Sequence, residues 1–281
     1  MDIMNSQVGP SIVDDIFIEI CKNLDYKHLL KLQLLSKNNN KIIRRTKWSH
    51  TYVKLINTND INDKVVYLAA NYNFMCYDFT RCSELIDSSV EILCNCHSLI
   101  LSHCKITDKS VRMLGMAAAN STNNRISFLR YLDLSYCEYI TDESVKMLGH
   151  INTLNLSNSS KITDKSIIIL GKTIMEYCKK HHGVKCKLLH TLDLSYCDKI
   201  TDRSIRILGM AATESHNKNK NDNHCCALRN LNLSYCQKIT PISIITLVDF
   251  RTVNVYCCFN IEYWSVEMLK YNGVDVIMKK V

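Results

Sequence analysis

The chain has 281 residues, 47% of them hydrophobic and 22% charged, and a formal net charge of +8. This is the composition of an ordinary soluble globular protein of one large domain or two smaller ones, and no run of 18 or more apolar residues offers a membrane span. The N-terminal stretch MDIMNSQVGPSIVDD has neither a basic opening nor a long apolar core, so no secretory signal is expected.

Residues 1–10 are expected to be disordered. From Ser11 onward Ile12, Ile16, Ile20 and Leu24 recur every fourth residue, with Val13 and Phe17 beside them, which predicts an amphipathic helix. Ser11 and Asp14 have the spacing of a capping box. Asp25 can cap a second helix carrying Leu29, Leu32 and Leu35. Ser36 can cap a third, containing Ile42 and Ile43 and ending near Lys47-Trp48. Three helices this short bury little surface, so the unit has to lean on the rest of the chain, on a partner, or on both.

Val53–Leu68 reads as a degenerate first member of a series whose best copy is Tyr131–Gly149, Y-L-D-L-S-Y-C-E-Y-I-T-D-E-S-V-K-M-L-G. That string returns at Thr191–Gly209 and again at Asn230–Leu247. Leu132 and Leu134 alternate as in a short strand with one buried face. Cys137 suits a tight buried turn, and Ile140 is an anchor. Thr141 is placed as an N-cap, with Asp142 and Glu143 in the first turn, where the helix dipole favours negative charge. Val145 and Leu148 share a helical face, and Gly149 is a stop. At the third copy Pro241 takes the first helical position. Strand registers fall at Tyr77, Leu99, Leu132, Leu154, Leu192, Leu231 and Val253, in steps of 22, 33, 22, 38, 39 and 22 residues. The longer steps place insertions near 116–128, 172–188 and 210–227, and Gly273–Ile277 is a closing half-unit. Such periodicity predicts an α/β solenoid.

Two resemblances follow from these strings. L-x-x-L-x-L-S-x-C-x-x-I-T-D-x-S-V-x-x-L, over roughly 70–270, resembles the cysteine-containing class of leucine-rich repeats, which implies a horseshoe-shaped solenoid. Residues 12–37, I-V-D-D-I-F-I-E-I-C-K-N-L-D-Y-K-H-L-L-K-L-Q-L-L-S-K, together with Trp48, resemble the F-box. They depart from it at Val13 (usually Pro), His28 (usually Asp) and Asn39 (usually Trp). The implied organisation is a disordered 1–10, an all-α three-helix F-box over 11–50, and leucine-rich repeats over 51–281. The pairing is that of substrate receptors of cullin-RING ubiquitin ligases. It implies that Ile12, Val13, Ile16, Ile20, Leu24, Leu29, Leu32, Leu35 and Trp48 include the surface docking a Skp-type adaptor, and through it a cullin, while the repeats hold a target protein. The rival is a non-ligase scaffold or inhibitor whose N-terminal helices only cap the array.

The chain has fifteen cysteines, but Cys82, Cys104, Cys137, Cys197, Cys236 and Cys258 share one register position, with Ser159 in the same place in the remaining unit. They read as packing residues. The odd total and the missing signal point to a reducing compartment, cytoplasmic or nuclear. Excess positive charge sits in residues 1–50 and in 172–188, which makes Lys179, Lys180, Lys185 and Lys187 the candidates for a nucleic-acid contact; no basic stripe with interleaved aromatics supports one.

No G-x-S-x-G, phosphate loop or H-E-x-x-H occurs, and Gly115, Gly149, Gly171 and Gly209 are taken as helix stops. No enzyme and no cofactor are expected. Potential zinc ligands cluster at Cys94, Cys96, His97, His103 and Cys104, at Cys178, His181, His182 and Cys186, and at His216, His224, Cys225 and Cys226, but none has the paired spacing of a finger, and no metal is expected. Recognition is assigned to the concave strand face: Asp133, Asn155, Asp193 and Asn232 in one column, Tyr136, Tyr196 and Tyr235 in another, and Arg81, Ile100, His103 and Asn158 where the units depart from consensus.

Overall fold

The computed structural model describes residues 12–55, 58, 60–120, 129–180, 188–217 and 228–278. Three helices come first: α1 (Ile12–Cys21), α2 (Tyr26–Leu32) and α3 (Lys37–Arg45). Asp25 and Ser36 cap the second and third, accepting from the His28 and Asn39 backbone N–H groups. Ser11 lies outside the described residues. Strands and helices then alternate: β1 (Lys47–Lys54), α4 (Ile61–Asn71), β2 (Asn73–Asp78), α5 (Asp87–Glu91), β3 (Ser98–Ile100) and α6 (Asp108–Asn120). They continue with β4 (Tyr131–Asp133), α7 (Asp142–Val145), β5 (Thr153–Asn155), α8 (Asp164–Lys180), β6 (Thr191–Asp193), α9 (Asp202–Asn217) and β7 (Asn230–Asn232). The series closes with α10 (Pro241–Ile244), β8 (Thr252–Asn254), α11 (Tyr263–Tyr271) and β9 (Asp275–Ile277).

All nine strands join one parallel sheet in sequence order. Val53, Tyr77, Leu99, Leu132, Leu154, Leu192, Leu231, Val253 and Val276 stand in one register row. Each strand turns its central apolar residue toward the helices and its flanking residues to the open face. Leu132, Leu134, Cys137, Ile140, Val145 and Leu148 of one unit are all buried, and the same positions are filled in the units on either side. Burying each aliphatic side chain contributes roughly 1.5–3 kcal/mol, so the core is a continuous column that no single unit could form alone.

Two devices tie unit to unit. Each register cysteine donates its thiol to a backbone carbonyl of the preceding unit. Cys104 reaches Phe79 at 3.1 Å, Cys137 reaches Leu101 at 3.1 Å, and Cys236 reaches Leu194 at 3.1 Å. Cys82, Cys197 and Cys258 repeat the pattern at 2.7, 3.2 and 3.0 Å. Burial pushes the Cys104 and Cys137 thiols up to about 12 and those of Cys197 and Cys258 to about 11. These are inert packing groups. Ser159, in the same row, is buried with no partner for its hydroxyl.

On the helical face, the aspartates that open α5 to α9 reach forward to the next unit. Asp142 accepts from the Thr163 backbone N–H at 2.9 Å, the Thr163 hydroxyl at 2.6 Å and the Ser166 hydroxyl at 2.6 Å. Asp108, Asp164 and Asp202 do the same for Thr141 and Ser144, Thr201 and Ser204, and Thr240 and Ser243. The T-D-x-S string is therefore both an N-cap and a cross-unit clamp, and its serines are fully buried.

Three sequence expectations change here. Gly115, Gly171 and Gly209 are not stops: they lie inside α6, α8 and α9, and only Gly149 lies past its helix. A Cβ on Gly115 would come within 2.9 Å of the Met147 Cβ, and one on Gly171 within 2.8 Å of the Ile207 Cγ2. The glycines permit adjacent helices to touch. The insertions near 116–128, 172–188 and 210–227 begin as helix extensions, and their remaining residues lie outside the described set, as do residues 1–11. Finally, Trp48 does not end a helix. The third helix stops at Arg45, and Trp48 sits in β1 paired with Phe74, its indole N–H donating to the Ile43 carbonyl at 2.9 Å. The repeat sheet thus starts at Lys47, inside the segment 11–50.

Candidate protein-docking surfaces

The open face of the sheet is built on a turn that follows each strand. In the turn Leu134-Ser135-Tyr136-Cys137 the Cys137 N–H returns to the Leu134 carbonyl, and Tyr136 has φ 58°. A positive φ at the third residue is what a type II turn requires and normally selects glycine or asparagine. Yet the row holds Arg81, His103, Tyr136, Asn158, Tyr196, Tyr235 and Cys257, all with φ between 55° and 63°. The left-handed region costs a non-glycine residue roughly 1–2 kcal/mol. From Arg81 to Tyr235 each N–H in the row donates to a backbone carbonyl of the next unit: Arg81 to Ser102, His103 to Ser135, Tyr136 to Ser157, Asn158 to Ser195, Tyr196 to Ser234 and Tyr235 to Tyr256. Side chains at this position are forced outward into one line.

That line stacks. His103 and Tyr136 lie 4.1 Å apart at 11°, and Tyr196 and Tyr235 also lie 4.1 Å apart at 11°. Tyr256 extends the second pair at 5.8 Å from Tyr235. Half-buried Asn158 occupies the row between the two aromatic pairs, and exposed Arg81 begins it. Hydrogen bonding to Tyr196, then to Cys257, pushes the Tyr235 hydroxyl up.

The column of Asp133, Asn155, Asp193 and Asn232 is largely committed to the fold. Each uses one side-chain oxygen to accept the backbone N–H two residues on, Ser135, Ser157, Ser195 and Ser234 in turn, at 2.8–3.1 Å. Asn155 and Asn232 also donate to Asp133 and Asp193, at 3.1 and 2.8 Å. Ile100 stands half-buried at the same height and makes an apolar break in this polar column. Of the sequence-predicted target residues, the aromatic row and Arg81 are thus the freest side chains. Neither the left-handed row nor its stacking was foreseen, although the S-Y-C turn was a signal for the first.

The N-terminal helices form a second surface. Ile12, Val13, Ile16 and Ile20 are 79%, 73%, 57% and 62% exposed, and Cys21 is the buried residue of α1. Leu35 and its neighbour Leu34 are also exposed. Leu24 and Leu32 are partly buried against the core. Leu29 and Trp48 are buried within it, which removes both from any docking surface and corrects their place among the adaptor contacts. An ion pair between Arg45 and Asp14 at 3.4 Å ties α1 to α3. Among the described residues no group of three metal-ligating side chains is assembled, and no helix is long and apolar enough to cross a membrane. His181, His182, Cys186, His224, Cys225, Cys226, Lys185 and Lys187 lie outside the described residues, while Lys179 and Lys180 are exposed at the end of α8.

Nine parallel strands in sequence order, each but the last followed by a helix, with apolar residues in one register row, define an α/β repeat solenoid. A family model described as "Leucine Rich repeat" matches residues 95–115, 125–149 and 185–206, so leucine-rich repeats run through 95–206. No F-box is detected, and no curated protein matches the chain. Among solved structures the chain is similar to one in the crystal structure of the Rad7 and Elc1 complex in yeast, at 15% identity, over 94% of this chain and 86% of that one. The TM-score is 0.35.

Proposed function

We propose that the chain is a non-catalytic recognition subunit. Its N-terminal helices dock a Skp-type adaptor of a cullin-RING ubiquitin ligase, as the F-box resemblance implies, and its repeats hold a target protein. The supporting observation is α1, which turns four large apolar side chains to solvent. A monomer gains nothing by that arrangement, and contiguous apolar exposure marks an interaction site. The capping role belongs to other residues: Leu29, Ile43 and Trp48 close the end of the solenoid core. One headpiece therefore serves both purposes, with α2, α3 and β1 as the cap and α1 as the dock. The aromatic row on the open face is the surface offered to the target, since stacked tyrosines give broad contact area with polar tips. Function then requires no reacting group in this chain. Holding the target beside a conjugating enzyme raises its effective concentration there.

Calorimetric titration of a purified Skp-type adaptor into the full chain tests this. Saturable binding is expected, and Ile16→Glu/Ile20→Glu is expected to abolish it while leaving the urea midpoint unchanged, because both positions are exposed. Trp48→Ala is expected to lower that midpoint, since a buried large-to-small change of this kind costs about 3–5 kcal/mol of stability. Adaptor binding that survives the double glutamate variant refutes the assignment of α1.

A further inference from the structure

The helices on the covered face differ sharply in length. α8 has 17 residues and α9 has 16, whereas α10 has four. This leaves a step beyond α9 that the short helix cannot fill. Over the step, Ile168 of α8, Ile207 and Met210 of α9, and Ile242 of α10 line a shallow cleft of about 470 Å³. Met210 is 56% exposed and Ile242 63%. A second cleft of about 500 Å³ adjoins it, sharing Ile168 and Arg203 and adding Ile169, Lys165 and Lys199.

The rim of these clefts is cationic. Lys172, Lys199, Arg203 and Arg206 are all exposed, and among the described residues their side chains make no ion pair and no hydrogen bond. Lys165 of the second cleft is paired with Glu143, as Lys146 is with Glu143 and Lys109 with Glu91, which sets the four unpaired cations apart from these. The carboxylates lining the clefts, Asp164 and Asp202, accept from the threonine and serine of the next unit and keep their charge, so they offset part of the rim, but Lys172, Lys199, Arg203 and Arg206 outnumber them.

We propose that this step on the helical face is a second docking site, separate from the open face of the sheet, and that it takes an acidic amphipathic helix of a partner protein. Apolar residues of that helix, spaced by three and four, would pack on Ile168, Ile207, Met210 and Ile242, with carboxylates on its flanks facing Lys172, Lys199, Arg203 and Arg206. The chemistry favours this occupant over two others. A nucleic acid would match the charge and leave the isoleucines and methionine uncovered. A bilayer is flat and calls for apolar side chains that protrude, whereas Ile168 and Ile207 are recessed among basic groups. An added strand has no place here, because the open strand edges of the sheet lie at β1 and β9.

The test titrates the full chain into a fluorescent peptide of about 14 residues, roughly four helical turns, with leucines at helical spacing and glutamates on both flanks. Fluorescence anisotropy is the readout. Saturable binding is expected, weakened about tenfold or more by Arg203→Glu/Arg206→Glu and by Met210→Asp/Ile242→Asp. Tyr196→Ala on the open face leaves it unchanged, and a scrambled peptide of the same composition binds about tenfold less well. All four substituted positions in the cleft variants are at the surface, so their urea midpoints should equal that of the parent. The proposal is overturned by equal binding of the scrambled peptide, by no saturable binding, or by either cleft variant binding like the parent. It is also overturned if phosphatidylserine vesicles or duplex DNA bind and the peptide does not.

Discussion

Replacing Gly209 by alanine sets two effects of opposite sign against each other. Gly209 lies in the interior of α9, where alanine is favoured over glycine by about 1 kcal/mol on helix propensity alone. Against this, a Cβ at that point would stand 2.5 Å from the Thr246 Oγ1 and 2.6 Å from the Thr246 backbone oxygen. The carbonyl belongs to the neighbouring unit's backbone, so the helix itself has to retreat. Such overpacking costs roughly 1–3 kcal/mol or more. The net expectation is a loss of up to about 2 kcal/mol. Two controls use the same geometry. At Gly149 the nearest atom, the Thr173 Cγ2, is 3.5 Å away, so Gly149→Ala should be close to neutral. At Gly171 the obstruction is the Ile207 Cγ2 at 2.8 Å, with the backbone oxygen at a tolerable 3.4 Å. Ile207→Ala should therefore relieve most of the cost of Gly171→Ala, whereas Thr246→Ala should relieve little of that of Gly209→Ala. Urea unfolding followed by far-UV circular dichroism gives the midpoints, which are compared directly because a solenoid need not unfold in one step. A Gly209→Ala midpoint above that of the parent would refute the close-approach argument and return the glycine to a plain helix-weakening role.

Two further outcomes follow from the cysteine row. Ser159 buries a hydroxyl without a partner, at a penalty of about 1–3 kcal/mol for such a group. Ser159→Cys restores the row residue and should raise the urea midpoint; a lower midpoint would show that this unit has no room for the thiol. The second outcome is alkaline. Burial raises the Cys104 and Cys137 thiols from about 9 to about 12, so they stay protonated in the fold after the unfolded chain has begun to ionise. Their contribution is complete below pH 9 and is lost as the pH rises from there toward 12. The urea midpoint should fall over that window, and native protein below it should label with a thiol reagent at these positions only on unfolding. Rapid labelling of the native row would contradict the burial argument.

Much of this molecule was legible in the chain because its information is local and repeated. The register row from Tyr77 to Val253 follows from Leu-x-Leu alternation, and the leading strand at Val53 and the closing strand at Gly273–Ile277 fall where the spacing put them. The packing role of the cysteines could be inferred because serine replaces one of them by register. The caps Asp25, Ser36 and Thr141 were readable for the same reason: a cap satisfies a backbone group two or three residues away.

What the tertiary structure alone decided are the properties that depend on a neighbour in the next unit. Periodicity marks Ile12, Ile16, Leu29 and Trp48 as equally apolar, but only their places in the packed fold, Trp48 within β1 and Leu29 in the core, separate the buried pair from the exposed Ile12 and Ile16. A glycine looks the same in sequence whether it ends a helix or lets two helices touch; the distance to Met147, Ile207 or Thr246 makes the difference. The helix-opening aspartates each clamp a threonine 20 to 38 residues ahead, at a distance no local pattern encodes. The cationic step at α10 arises because adjoining helices differ in length, and length becomes a surface only once the units are stacked. Local sequence sets the shape of each unit through backbone geometry and periodicity, while burial and surface belong to pairs of units and emerge only when they meet.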